Sequence, residues 1–228
     1  MRAAYKTPNL TVKLMICMIC ISPGMLLQTC GAGGNMTKRA LLAALAGGIA
    51  MYAWSTIAHL ALPISRVGVS EIPNEQPVLA ALQSTIGQNS GLYIYPALGT
   101  APDAMQQYDK KLAVSPSGIL VYHPPGASSI APGQLLTEFL TEIVESLLAI
   151  WLLAQTGIKS FGGRVGFVIM AGVLATIVTN IPYWNWYGFP ASYTLASMLM
   201  QVVGFAAAGA AAAAVLKNRP LRSLQGAQ

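Results

Sequence analysis

The chain has 228 residues, of which 54% are apolar and 9% charged, whereas about 25% of the residues in a soluble domain are charged. This deficit excludes a soluble enzyme domain with an extensive polar surface and predicts an integral membrane protein. The formal net charge of +6 does not indicate nucleic-acid binding, because the basic residues stand singly or in pairs at the ends of apolar runs, as membrane topology signals do.

Residues 1–35 allow two interpretations. Three basic residues precede an apolar run over 14–27, which resembles the charged and hydrophobic regions of a signal peptide. The alternative, which we favour, is that translation begins at Met36, because a short basic stretch then leads directly into an apolar helix. All three cysteines lie in 1–35, so the rest of the sequence has neither a disulfide framework nor a cysteine metal site.

Residues 36–62 contain the first predicted membrane helix, which covers Ala40–Leu62. Ala43 and Gly47 have the small-x-x-x-small spacing that lets two helices approach closely, and the same spacing recurs one residue later. We therefore expect this face of the helix to pack against other helices.

Residues 63–132 form a polar insert, rich in proline and glycine turns. The predicted elements are two short helices, over 75–84 and 100–112, and two short strands, over 91–96 and 118–124. Asn74 is predicted to cap the first helix, and Thr100–Asp103 resembles a capping box for the second. About 70 residues bury only a thin core, so we expect this cap to lean on the membrane helices or on a partner.

Residues 133–216 carry three further predicted membrane helices, over Gln134–Ala154, Val165–Ile181 and Ala191–Leu216, and residues 217–228 form a tail. Between the last two helices we predict a turn whose aromatic rings form a belt at the membrane interface. The members of this belt are Tyr183, Trp184, Trp186, Tyr187 and Phe189.

The distribution of basic residues predicts the orientation. With four spans, seven basic residues fall on one side of the membrane: Lys38, Arg39, Lys159, Arg164, Lys217, Arg219 and Arg222. The positive-inside rule then places both termini in the cytoplasm and the 63–132 cap outside. The predicted fold is an all-α, multi-pass membrane protein with four transmembrane helices and a small extracytoplasmic α/β insert between helices 1 and 2.

The second predicted span is unusual because it carries three of the seven acidic residues of the chain. Glu138, Glu142 and Glu145 are spaced by four and then three residues, which places them on one face of a helix. Charged groups near the centre of a bilayer cost a few kcal/mol, so they usually face a bundle interior or water. We therefore expect the other helices to provide polar surroundings for this face.

Counting helix rise from the predicted outer surface orders the polar residues by depth. They form a candidate intramembrane path leading inward from the cap: His59, Glu138, Asn180, Glu142, Thr176, Gln201 and Glu145. Three interpretations compete. The path could carry protons or cations, it could hold a metal ion between carboxylates and a histidine, or its glutamates could be protonated and hydrogen-bond to Thr, Asn and Gln of neighbouring helices to fix their order. We consider the metal site weak, because no Glu-x-x-His occurs on any span, and predict no metal and no cofactor.

Several segments resemble a group of small bacterial inner-membrane proteins of unassigned function. The resemblance covers about residues 36–216 and is carried by Trp54 with His59–Pro63, by Gly91–Tyr93 and by Trp184–Pro190. It implies a fold and a location in the inner membrane but no reaction.

Two functional hypotheses remain open. The first is a small proton- or cation-linked transporter that uses the glutamate helix, assembled as a homo-oligomer because four short spans enclose little space alone. The second is an accessory or structural subunit of a larger membrane complex, without transport or catalytic activity. No G-x-S-x-G, Walker loop, dinucleotide fingerprint or H-E-x-x-H occurs in the sequence, so we do not predict an enzyme. The lipid bilayer is the one partner that both hypotheses require.

Overall fold

The computed structural model describes residues 38–126, 128 and 130–217. The interpretations of residues 1–35 and of the end of the predicted tail lie outside the described residues. The described elements, in chain order, are α1 (Lys38–Leu60), a 3₁₀ segment (Pro63–Arg66), α2 (Glu75–Ile86), β1 (Gly91–Tyr95), α3 (Ala104–Leu112), β2 (Gly118–Tyr122), α4 (Pro132–Ala154), α5 (Phe161–Tyr187) and α6 (Ala191–Leu216).

Three of these helices are long and apolar enough to cross a membrane. They are α1, α5 and α6, with 23, 27 and 26 residues, and about 20 residues suffice for a bilayer. The prediction of a membrane protein with transmembrane helices is therefore confirmed. Helix α4 also has 23 residues, but its three glutamates give it more charged residues than a membrane span usually carries. Its predicted role as a fourth span is therefore not confirmed by length and composition.

The four long helices pack in the lateral order α4, α1, α6, α5. The Ser146 hydroxyl of α4 donates to the Ala44 carbonyl oxygen of α1 at 2.7 Å, and the rings of Phe139 and Tyr52 meet with centroids 5.3 Å apart. Since residue numbers rise along α1 as they fall along α4, these neighbours are antiparallel. We call the end of the bundle that carries residues 63–131 the cap side, and the opposite end the far side.

Helix α6 makes antiparallel contacts on both of its sides. The indole Nε1 of Trp54 in α1 donates to the Met200 carbonyl oxygen at 2.8 Å, which holds the cap side of α1 against α6. On the other side, Gly172 of α5 lies against the ring of Phe205. The two central helices α1 and α6 therefore form the contact that joins α4 to α5.

Small residues allow this close packing. Ala43 and Gly47 are buried, as the small-x-x-x-small spacing predicts, and so are their neighbours Ala44 and Gly48. A β-carbon at Gly47 would collide with the Ser146 side chain and approach the Ala208 carbonyl oxygen. The buried apolar cluster lies mostly on the far side, where α1, α4, α5 and α6 contribute Ala40, Ile150, Leu153, Val168, Ala212 and Leu216.

The insert folds into two short helices and a two-stranded antiparallel hairpin, in which Gly91 pairs with Tyr122 and Tyr95 with Gly118. Both short helices were predicted from their capping residues, and both strands from short runs bounded by turn residues. The predicted caps were wrong. Asn74 adopts a left-handed conformation with φ of 52° and makes no side-chain cap, and the Asp103 carboxylate instead accepts a hydrogen bond from Gln107 at 2.8 Å.

The predicted aromatic turn is a second correction. Helix α5 does not end before Pro182 but continues to Tyr187, so four of the five belt residues are helical. Pro182 lies inside the helix, where its ring removes one backbone donor. The helix ends at Gly188, whose φ of 69° is the left-handed conformation that glycine adopts at little cost.

Candidate functional site

The four long helices enclose a cavity of about 410 Å³ on the cap side of the bundle. Its lining comes from the C-terminal halves of α1 and α5, from α4 and α6 between their cap-side ends and just past their midpoints, and from the 3₁₀ segment after α1. Contacts between α4 and α5, the outer members of the row, are far fewer than those along the row. The cavity therefore occupies the space that these two helices leave open in front of α1 and α6.

All three glutamates of α4 line this cavity. Glu138 is exposed at the cap-side end and Glu145 is half-buried, whereas the Glu142 side chain is only 6% exposed. Glu142 is thus the most buried of the three, although Glu145 lies further along the helix. The pattern of four- and three-residue spacing correctly predicted that one face of α4 collects the carboxyl groups.

The Glu142 carboxyl group is incompletely paired. The hydroxyl of Ser55, on the facing side of α1, is its side-chain hydrogen-bond neighbour. Within the described part of the chain, the Oε2 atom of Glu142 is buried and has no hydrogen-bond partner. A buried acceptor without a donor is costly, so this atom is a position where a proton, a cation or a donor group would be stabilised.

The three carboxyl groups also interact with one another. Glu142 experiences the charges of both Glu138 and Glu145, and no Lys or Arg is among the described residues that line the cavity. Carboxylates that share a site repel each other unless protons or cations neutralise them. The cavity is therefore suited to positive charge and unsuited to anions.

The wall opposite α4 is held by hydrogen bonds of α1. The Trp54 indole is fixed by the Met200 carbonyl oxygen, and the Nδ1 atom of His59 lies 2.9 Å from the Ser55 carbonyl oxygen. Because a carbonyl oxygen only accepts hydrogen bonds, Nδ1 carries the proton in this contact. His59 is an exposed residue that lines the cavity.

The floor of the cavity separates it from the far side. Met51 and Phe205 line the cavity and also belong to the buried apolar cluster. Phe205 rests on Gly172 of α5, and Gly204 leaves room for Met51. The cavity is consequently closed toward the far side by apolar side chains.

A smaller cavity of about 310 Å³ lies beside the first, between α5 and α6. Its lining includes Asn180, Tyr183 and Phe189, and it shares Thr179, Tyr193 and Gln201 with the larger cavity. The side-chain amide of Asn180 donates to the Gln201 side-chain oxygen at 3.4 Å. Gln201 therefore belongs to the wall that the two cavities have in common, and Asn180 reaches it from the smaller cavity.

The structure brings together most of the predicted polar path. His59, Glu138, Glu142, Glu145 and Gln201 line one cavity, and Asn180 lines the adjoining one. Thr176 does not join them. It is fully buried, and its hydroxyl donates to the Val173 carbonyl oxygen of its own helix at 2.8 Å, so it has no place in the path.

The belt residues divide into two groups. Tyr183 and Phe189 line the smaller cavity, and their ring centroids lie 5.3 Å apart. Trp184, Trp186 and Tyr187 are exposed on the outside of the bundle. Tyr183 is nevertheless as exposed as Tyr187, at 49%. Four of the five belt residues therefore keep the outward position that an interfacial belt needs, and Phe189 is half-buried.

Sequence reasoning missed the contribution of α6. Tyr193, Ser197 and Gly204 line the cavity together with Gln201. Their positions are spaced by four, four and three residues, which is the same helical periodicity that identified the glutamate face. This signal was present in the sequence but was obscured by the small and apolar character of the residues.

A metal centre gains no support from this arrangement. Among residues 38–126, 128 and 130–217, no group of three His, Cys, Asp or Glu side chains could hold a metal ion. The carboxyl groups and His59 share a cavity without converging on one point.

Fold and site together define a multi-pass membrane protein with an acidic cavity inside its helical bundle. Comparison with known proteins adds no relative: no family model matches the chain, and neither a curated protein nor a solved structure is significantly similar to it. The resemblance to a group of small inner-membrane proteins therefore stays a prediction.

Proposed function

We propose that this protein is a small transporter of the bacterial inner membrane, in which the glutamates of α4 bind a proton or another cation during transport. The observation that carries the proposal is the position of Glu142. Its carboxyl group is buried at a cavity of about 410 Å³, next to two further carboxyl groups. Intramembrane carboxyl groups that line a cavity commonly mark ion and proton pathways.

The proposal treats α4 as a fourth membrane helix. Its contacts with α1 extend from the Tyr52–Phe139 ring pair to the Ser146–Ala44 hydrogen bond, so it lies at the same depth as a helix that is able to span. Large apolar side chains, including Leu140, Leu148 and Leu152, are exposed on its outer face. Lipid is the surrounding in which such a face is stable.

The orientation in this proposal follows from the basic residues. Lys38, Lys159 and Lys217 lie on the far side of the bundle, and the positive-inside rule assigns that side to the cytoplasm. The cap side, with the cavity, then faces the outside. A cavity that is open on the cap side and closed by Met51 and Phe205 corresponds to an outward-facing state of an alternating-access cycle.

The hydrogen-bonding pattern favours transport over a purely structural role of the glutamates. In a structural role, Asn180 and Gln201 would pair with the carboxyl groups across the bundle. The Asn180 amide instead donates to the Thr176 carbonyl oxygen at 3.0 Å, to the Thr179 hydroxyl at 2.9 Å and to the Gln201 side chain at 3.4 Å. Oε2 of Glu142 is without a partner among the described residues.

An accessory subunit is the second candidate, and the cap favours it. Leu92, Ile94 and Val121 are exposed on the hairpin, and the contacts of the hairpin with the long helices are few. An exposed apolar surface on a small insert is suited to binding another protein.

Flux through reconstituted vesicles tests the proposal. Vesicles with a potassium diffusion potential are prepared with wild-type protein, with Glu142→Gln or with Glu145→Gln. The matched control is Glu75→Gln, which removes an exposed carboxyl group of the cap. Proton entry is followed with a trapped pH-sensitive dye and sodium entry with radiolabelled sodium.

We expect flux of one of these ions to exceed that of empty vesicles at least tenfold for wild type and Glu75→Gln. Both cavity variants should fall to the level of empty vesicles, because glutamine keeps the shape of the side chain but does not bind a cation or release a proton. Wild-type flux no greater than that of empty vesicles, or full flux in Glu142→Gln, would contradict the proposal.

A further inference from the structure

We propose that the cation bound in the cavity is a small organic ammonium ion, a protonated amine with a hydrocarbon body, rather than a metal ion. This inference rests on the proposed function, since it names the substrate class of the same site. It is argued from the size of the cavity, the unpaired carboxyl oxygen and the aromatic wall.

The size of the cavity favours a molecule over a bare ion. A volume of about 410 Å³ lies within the range of roughly 300–1,000 Å³ that is usual for small-molecule sites. A metal ion needs several ligands within about 2–2.6 Å of a single point. The described His, Cys, Asp and Glu side chains form no such group of three.

The unpaired oxygen of Glu142 favours a cation that donates hydrogen bonds. Its side chain is more than nine-tenths buried, and the Oε2 atom has no partner in the described residues. An ammonium group supplies both a positive charge and N–H donors, so one contact satisfies the acceptor and offsets the charge. Ser55, the neighbour of this carboxyl group, then helps to fix its orientation.

The aromatic side chains of the remaining walls suit both the hydrocarbon body and the positive charge of an organic ammonium ion. Trp54, Tyr193 and Phe205 line the cavity. The Trp54 ring is held by its hydrogen bond to Met200, and the Tyr193 ring packs against Phe189 with centroids 5.5 Å apart. Aromatic faces attract organic cations, and rings that are already fixed lose little freedom when such a cation binds.

Binding to the purified full-length protein in detergent tests the inference. Three probes are compared by isothermal titration at neutral pH: benzylammonium, benzyl alcohol, which has the same ring but no charge, and sodium. The protein variants are Glu142→Gln with the cap control Glu75→Gln, and Trp54→Leu with the control Trp186→Leu. Trp186 is 79% exposed and lies outside the cavity.

We expect saturable binding of benzylammonium, at least tenfold weaker binding of benzyl alcohol, and no saturable binding of sodium. Glu142→Gln should weaken benzylammonium binding at least tenfold and Trp54→Leu about two- to thirtyfold, while both controls bind as wild type. Thermal unfolding shows whether each variant is folded. If Glu142→Gln is not, Glu145→Gln replaces it with the same expectation.

Equal binding of the charged and uncharged probes, or benzylammonium binding that survives both glutamate substitutions, would overturn the inference. Sodium binding or proton flux that depends on Glu142, without binding of benzylammonium, would overturn it and leave the proposed transport function standing. Absence of any Glu142-dependent binding and of any Glu142-dependent flux would overturn both.

Discussion

At the scale of single residues, Gly47 illustrates how the bundle is held together. It lies where α1 meets both α4 and α6, next to the Ser146 hydroxyl and the Ala208 carbonyl oxygen. Ser146 uses that hydroxyl to bond Ala44 one turn away, so the position combines close packing with an interhelical hydrogen bond. In a membrane, close packing and interhelical hydrogen bonds drive helix association, because the hydrophobic effect does not favour contact between apolar helices over contact with lipid.

The substitution Gly47→Ala is expected to destabilise the protein. The added methyl group would displace Ser146 or the backbone of α6, and overpacking of this kind costs about 1–3 kcal/mol. Gly166→Ala is the matched control, because Gly166 lies in α5 and its β-carbon would meet no atom within 4 Å. Helix propensity should make the control neutral or more stable by about 1 kcal/mol.

The free energy of unfolding of both variants can be measured by denaturant titration in detergent. If Gly47→Ala and Gly166→Ala change the free energy of unfolding by the same amount, the close contact at Gly47 does not restrict the size of the side chain there.

At the scale of elements, α4 constrains how the four long helices can be arranged. Its length equals that of α1, and it has an apolar outer face, yet its inner face carries three carboxyl groups. Such a helix is stable in a bilayer only if the carboxyl groups face the bundle. The packing of α4 against α1 and the cavity on its inner face fulfil this condition.

Cysteine labelling tests whether α4 crosses the membrane. Gly133 and Gly157 lie at its two ends, and a β-carbon at either position would meet no atom within 4 Å. In a cysteine-free background, we expect an impermeant maleimide added to intact spheroplasts to label Gly133→Cys. It should label Gly157→Cys only after the membrane is broken, since the two ends lie on opposite sides. Labelling of both positions in intact spheroplasts would mean that α4 does not span.

At the scale of the whole molecule, the bundle is divided into two unlike ends. The far side is closed by small and apolar residues such as Ala212 and Leu216, whereas the cap side contains the acidic cavity. The first segment of the cap, Pro63–Arg66, packs on α1 and α6, whereas the two short helices and the hairpin have few contacts with the long helices. The expectation that the cap leans on the membrane helices thus holds for its first segment, and the expectation of a partner stays a prediction.

Removal of the cap should leave the bundle folded. Residues 71–128 can be replaced by a flexible linker of about ten Gly and Ser residues, long enough to join adjacent helices whose axes lie about 8–10 Å apart. We expect the free energy of unfolding to change by about 1 kcal/mol or less, because few contacts are lost and loop length has a weak effect. Thermal and denaturant unfolding of the shortened protein measure this change. A loss of folding would show that the cap is part of the core.

The sequence by itself determined the features that depend on local pattern. Hydropathy and length predicted a membrane protein and gave the bounds of α6, Ala191–Leu216, without error. The period of the helix predicted that Glu138, Glu142 and Glu145 share a face, and short runs bounded by turn residues predicted both strands of the hairpin. These features require only neighbouring residues, so no knowledge of the fold was needed.

Only the tertiary structure decided which polar groups meet. It paired Gln201 with Asn180 rather than with a glutamate, turned the Thr176 hydroxyl back onto its own helix, and extended α5 through the expected aromatic turn. It also made Glu142, not Glu145, the most buried carboxyl group. Helical periodicity fixes the face on which a side chain lies, but the neighbour of that face depends on how four helices rotate and pack against each other.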